Sequence, residues 1–214
     1  MSPKTAPYGS WKSPITSDLI AAQSISLSEP RFDGERVYWL EGRPQELGRY
    51  VVVRANPLGG DGTDMMPKPY KTRTRVHEYG GASWTVANGD VYFSNFADGR
   101  LYCYRNGTSN PLPLTPEPAA PERQWRFADG IIDGLRQRWI GVREDHTAGG
   151  EPINTIVAVD LRQAGRDPGR VLVGGHDFFA AAPPWVEGRR SLRAPRAVSV
   201  LLRHSHTPSR IASR

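Results

Sequence analysis

His77-Glu78 and Arg143-Glu144-Asp145-His146 are the densest groupings of ionisable side chains in the body of the chain. Imidazole beside carboxylate is the pairing that general acid–base chemistry uses, and with a positioned serine it becomes a hydrolytic triad. No serine near either grouping can be argued into that position from the sequence, so no catalytic residue is assigned. Two readings stay open. His77, Glu78, Arg143, Glu144, Asp145 and His146 either line a channel or substrate surface, or are turn residues that hydrogen-bond one another between strands. Polar groups buried in a fold need such partners in any case.

The other candidates carry less. His204-Ser205-His206 would put two imidazoles on one face of a strand. A zinc site needs three or four ligands, and no Cys or further His lies nearby. Gly59-Gly60-Asp61-Gly62 has the glycines of a phosphate cradle but neither the helix nor the lysine that completes one. A hairpin turn is expected there. Cys103, the single cysteine, sits in an alternating stretch as a small buried hydrophobe and can form no internal disulfide. No metal and no cofactor is expected. Trp39, Trp84 and Trp139 read as packing residues between sheets. None of the tryptophans lies in a basic stripe of the kind on which single-stranded nucleic acid stacks.

The elements that must position these residues are strands. Stretches 36–41 (RVYWLE), 50–54 (YVVVR), 90–95 (DVYFSN), 100–105 (RLYCYR), 138–144 (RWIGVRE) and 154–161 (NTIVAVDL) are rich in β-branched and aromatic residues. Between them stand Asp33-Gly34, Asn88-Gly89, Asp98-Gly99, Asn106-Gly107 and Asp129-Gly130, dipeptides that accept the positive φ of tight turns. One short helix is expected, over 18–23 with Ser17 as its cap. The strands repeat: Val37-Tyr38-Trp39, Val91-Tyr92-Phe93 and Trp139-Ile140-Gly141 recur at spacings of 54 and 48. A second strand follows each, and Pro-rich turns (Met66-Pro67-Lys68-Pro69, Thr115-Pro116-Glu117-Pro118) close the first two pairs. A period near 50 with about four strands per unit predicts an all-β chain forming a partial β-propeller of about three to four blades. The fourth blade is expected to begin at 170–179 (RVLVGGHDFF). An antiparallel sandwich is the alternative.

Composition sets the partners. The 214 residues carry 28 Lys+Arg against 22 Asp+Glu, a formal charge of +6. That surplus is not spread evenly, because residues 183–214 hold seven Arg and one acid, which leaves 21 basic and 21 acidic residues in 1–182. The charge therefore belongs to a tail with no recognition motif, and no specific nucleic-acid partner is expected. No apolar run approaches the roughly 18–20 residues that span a bilayer, so no membrane partner is expected. The polar residues 1–11 and the lone cysteine point to a cytoplasmic protein.

Six separated stretches carry a resemblance. They are Tyr8-Gly9-Ser10-Trp11-Lys12-Ser13-Pro14-Ile15-Thr16, Tyr38-Trp39-Leu40-Glu41-Gly42-Arg43-Pro44 and Arg73-Thr74-Arg75-Val76-His77-Glu78-Tyr79-Gly80-Gly81. Val91-Tyr92-Phe93-Ser94-Asn95-Phe96-Ala97-Asp98, Trp139-Ile140-Gly141-Val142-Arg143-Glu144-Asp145-His146 and Asn154-Thr155-Ile156-Val157-Ala158-Val159-Asp160-Leu161 complete the set. In order, they resemble the N-terminal propeller of prolyl oligopeptidase-family serine peptidases, specifically the acylaminoacyl- or dipeptidyl-peptidase-like bacterial branch. The resemblance runs from about Tyr8 to about Phe179. It implies a propeller that covers the active site of an enzyme acting on short peptides, with none of the six stretches catalytic.

In such enzymes the nucleophile stands on a G-x-S-x-G elbow in an α/β-hydrolase domain. The 214 residues contain no G-x-S-x-G and no alternating strand–helix pattern to hold one. The expectation is a truncated propeller portion that does not hydrolyse peptides alone. It would comprise an N-terminal segment (1–24), a partial propeller (25–182) and an Arg-rich tail (183–214), disordered or produced by a frameshift near 180–183. Its open end invites self-association. The rival reading is a stand-alone propeller-like protein-interaction module.

Overall fold

The computed structural model describes residues 5–10, 15, 24–120 and 124–180. Within them, twelve strands form three four-stranded antiparallel sheets, each in chain order. The first holds β1 (Ser26–Asp33), β2 (Arg36–Arg43), β3 (Arg49–Arg54) and β4 (Thr63–Asp64). The second holds β5 (Trp84–Ala87), β6 (Asp90–Ser94), β7 (Leu101–Tyr104) and β8 (Leu112–Pro113). The third holds β9 (Trp125–Asp133), β10 (Arg138–Asp145), β11 (Ile153–Asp160) and β12 (Arg170–Val173). Each sheet is an up-and-down blade. The first strands β1, β5 and β9 lie side by side, so the blades form an open arc of a propeller.

Strand alternation assigns each blade face its neighbour. Tyr38, Leu40 and Val52 share one face of the first blade and pack with Trp84, Phe93 and Tyr102 of the second. The other face of the second blade gives Tyr92, Leu101 and Cys103, which meet Phe127, Trp139, Val157 and Val159 of the third. Phe127 and Trp139 cross edge to face at 5.8 Å between centroids. At roughly 25 cal/mol per Å² of apolar area, these two interfaces are the main stabilising contribution to the arc. The near-apolar middle strands of each blade are what such two-sided burial requires.

Trp84 and Trp139 thus lie between blades as their sequence context predicts. Trp39 does not. Its register partner is Val53, on the face of β2 turned away from the second blade, and its indole Nε1 donates to Glu41 Oε1 at 2.9 Å. The glycine run 59–62 is part of the loop from β3 to β4, with Gly59 and Gly60 at φ +83° and +85°.

Two further expectations change. Residues 170–173 do not open a fourth blade. They pair antiparallel with β11 as the outer strand of the third, leaving three blades among the described residues. The outer strands β4 and β8 are only two residues long, so the earlier repeats offered no pattern for recognising a longer one. Asp129-Gly130 is no hairpin turn either. It forms a bulge inside β9, where the register against β10 shifts between Ile140 and Val142. Asp129 takes φ 56°, and a Cβ added at Gly130 would fall inside the Trp139 indole. Bulges and tight turns use the same positive φ, so the dipeptide alone does not separate them.

The helix expected over 18–23 and the tail 183–214 lie outside the described residues. Among the described residues no helix is long and apolar enough to cross a membrane.

Candidate functional site

The loop that carries the chain from β4 to β5 runs past the third blade, and there the two sequence clusters meet. His77 and Glu78 both adopt left-handed backbone, φ 55° and 64°, which turns the loop toward the end of β10. Glu144, 2% exposed, is the centre. Its Oε1 accepts from the His77 backbone N–H at 2.9 Å. Its Oε2 accepts from His146 Nε2 at 2.8 Å and from Arg126 Nη1 at 3.1 Å. Arg126 Nη1 also donates to Glu78 Oε1 at 2.7 Å and to the Arg75 carbonyl at 2.9 Å. His77 Nε2 lies 3.0 Å from the Phe179 carbonyl oxygen. A carbonyl only accepts, so Nε2 carries the proton.

The second cluster divides between the two faces of its strand. Alternation along β10 sends Glu144 toward His77 and Arg126, and Arg143 and Asp145 to the opposite face. Arg143 Nη1 donates to the carbonyls of Pro168 and Gly169 at 3.0 and 3.1 Å. Burial pulls its guanidinium pKa below the ordinary arginine value. Burial raises Asp145, but hydrogen bonds from the Thr147 hydroxyl and amide outweigh it and leave the carboxyl below its usual range. Glu78, largely exposed, is held below the usual glutamate range by its hydrogen bond from Arg126. Arg126 is the residue that sequence reasoning missed. It lies in β9, whose alternation is interrupted by the bulge at Asp129-Gly130.

This arrangement holds a carboxylate in a fixed hydrogen-bonded frame. On the other face the Thr147 hydroxyl is donated to Asp145 Oδ1 at 2.6 Å. Cys103 is buried in β7, and burial pushes its thiol up to about 11. No group of three His, Cys, Asp or Glu side chains that could hold a metal occurs among the described residues. His204 and His206 lie outside them.

No protein-family model matches the chain, and no curated protein does. Solved structures do. A Mycobacterium tuberculosis puromycin-hydrolyzing peptidase superposes with TM-score 0.72 at 39% identity, over 84% of this chain and 29% of that one. Two structures of puromycin hydrolase, one a mutant complexed with PGG, match at TM-score 0.70 and 32% identity over 81% of this chain and 28% of theirs. The chain is related to prolyl oligopeptidase-family peptidases. It matches their N-terminal propeller part, and it spans under a third of their length. The loop 73–81 and the strand 139–146, two of the stretches that carried the resemblance, are the ones that Glu144 ties together.

Proposed function

We propose that this chain supplies the propeller portion of a prolyl oligopeptidase-type serine peptidase and does not hydrolyse peptides by itself. In that enzyme the propeller restricts access to a separate catalytic domain by size. The observation that carries the reading is the three-bladed match at 39% identity, confined to 29% of a puromycin-hydrolyzing peptidase. A serine acyl-enzyme route needs a nucleophile activated by a neighbouring base, and no G-x-S-x-G elbow occurs in the 214 residues.

In this reading the buried Glu144 frame holds the loop in place, and the exposed carboxylate of Glu78 is the group it presents to a passing peptide. His146 belongs to that frame through its bond to Glu144, and Arg143 and Asp145 serve the blade itself. The cytoplasmic location rests on the single cysteine. Residues 183–214, with Arg, Ser and Pro at half of their positions, are foreign to the propeller and arise from a shift of reading frame near codon 180. Translation of the other two frames from that codon tests this. Continuing propeller and hydrolase sequence in one of them is expected, and its absence from both overturns the frameshift. A fluorophosphonate probe tests the catalytic part of the proposal: the pure chain is expected to stay unlabelled, and labelling at one serine would refute it.

A further inference from the structure

At the end of the third blade opposite Glu144, the start of β10, the end of β11 and the loop into β12 enclose a cleft of about 450 Å³. Five arginines line it: Arg136, Arg138, Arg162, Arg166 and Arg170. The acids around it are already engaged. Asp133 Oδ2 accepts from Arg136 Nη1 at 3.1 Å and Arg138 Nε at 3.0 Å. Asp160 takes a two-point clamp from Arg162, Nε at 2.8 Å on one oxygen and Nη2 at 2.7 Å on the other. Asp167 gives both oxygens to backbone amides, those of Asp160 at 2.7 Å and Gly169 at 2.8 Å. Among the described residues Arg166 and Arg170 make no ion pair, and both are exposed to the cleft solvent. Five guanidinium groups against three carboxylates leave two positive charges facing one water-filled volume. No aromatic side chain lines it, and Ala158 is its one apolar residue.

That lining suits a compact ligand with several negative oxygens and no apolar body. Guanidinium forks match phosphate oxygens two at a time, and two unpaired forks on one cleft favour neighbouring phosphate groups over a single carboxylate. We propose that this cleft binds oligophosphate, with Arg166 and Arg170 as the contacting residues and Arg136, Arg138 and Arg162 supplying the surrounding field. The 183–214 segment, with its own seven arginines, is the competing source of anion affinity, and the test is built to separate the two.

The probe is sodium tripolyphosphate, titrated calorimetrically into the full chain in roughly 50 mM salt, where screening is weak. The double variant Arg166→Gln/Arg170→Gln is expected to bind at least about tenfold more weakly, while Arg203→Gln/Arg210→Gln, matched in charge, stays within about twofold of the parent. Arg166→Lys/Arg170→Lys, which keeps the charge but not the fork, should fall between them. Unchanged melting by circular dichroism shows that the exposed substitutions leave the fold intact. Equal losses in both Gln doubles, or binding retained in the cleft double, would overturn the proposal. Displacement of tripolyphosphate by a dT15 oligonucleotide assigns the cleft to a nucleic-acid backbone, and its failure assigns it to a free oligophosphate. The phosphate cleft stands in either case.

Discussion

Glu144 is 2% exposed yet accepts from a backbone amide, an imidazole and a guanidinium, so its worth lies in what its loss strands. Removing it leaves Arg126 largely buried with only Glu78 and a carbonyl as partners. Breaking a buried pair by deleting one member costs more than the pair contributes, so Glu144→Ala should lower stability by about 3 kcal/mol in urea melts. Glu144→Gln, which can still accept from the His77 amide, should lose less. Cys103 makes a second residue-level prediction. A thiol raised to about 11 is almost wholly protonated at pH 8, and the 3% exposed side chain is closed to reagents. Ellman's reagent should therefore leave it untouched in the native chain at pH 8 and react once per chain in denaturant. The raised pKa also gives the sign of its linkage: the stability it reflects is present below the unfolded thiol pKa and is lost as pH rises through the folded one.

At the scale of elements, the middle strands of each blade were legible in the sequence because both their faces are buried, which writes a run of apolar residues. The first strand β1 was not, since Pro30 interrupts it and much of it is exposed. Strands β4 and β8 are too short to leave a pattern, and β12, exposed along all four residues, reads as the start of something new. The same physics limited the site. His77, Glu78, Glu144 and His146 were named from composition, but grouping Arg143 and Asp145 with them ignored the period of two along β10. Arg126 gave no signal because the bulge breaks its strand. Beyond β12 the chain turns back, and Phe179, 1% exposed, packs with Val76 on Ile140, Val142, Ile156 and Ala158, covering part of the third blade's outer face. Phe179→Ala should lower stability by about 3 kcal/mol. It should also increase binding of the dye ANS, since the face beneath becomes open.

At the scale of the whole molecule, the three blades bury two interfaces and leave apolar surface at each end of the arc. Phe32 is 73% exposed at one end, and Val173 and Phe178 are 39% and 50% exposed at the other. Stacked repeats need their terminal faces covered, and an uncapped strand edge recruits a neighbour. Sedimentation of the pure chain should show association that rises with concentration and weakens with mild urea. A monodisperse monomer at high concentration would favour a self-contained interaction module. The formal charge of the body, neutral over 1–182, makes no electrostatic barrier to such contact. The central claim remains that this chain is the part of a peptidase that admits substrate and not the part that cleaves it. Its most direct test is turnover of puromycin and of aminoacyl and dipeptidyl p-nitroanilides by the pure 214-residue chain. No hydrolysis above the buffer blank is predicted, whereas hydrolysis that a serine-directed inhibitor abolishes would contradict it.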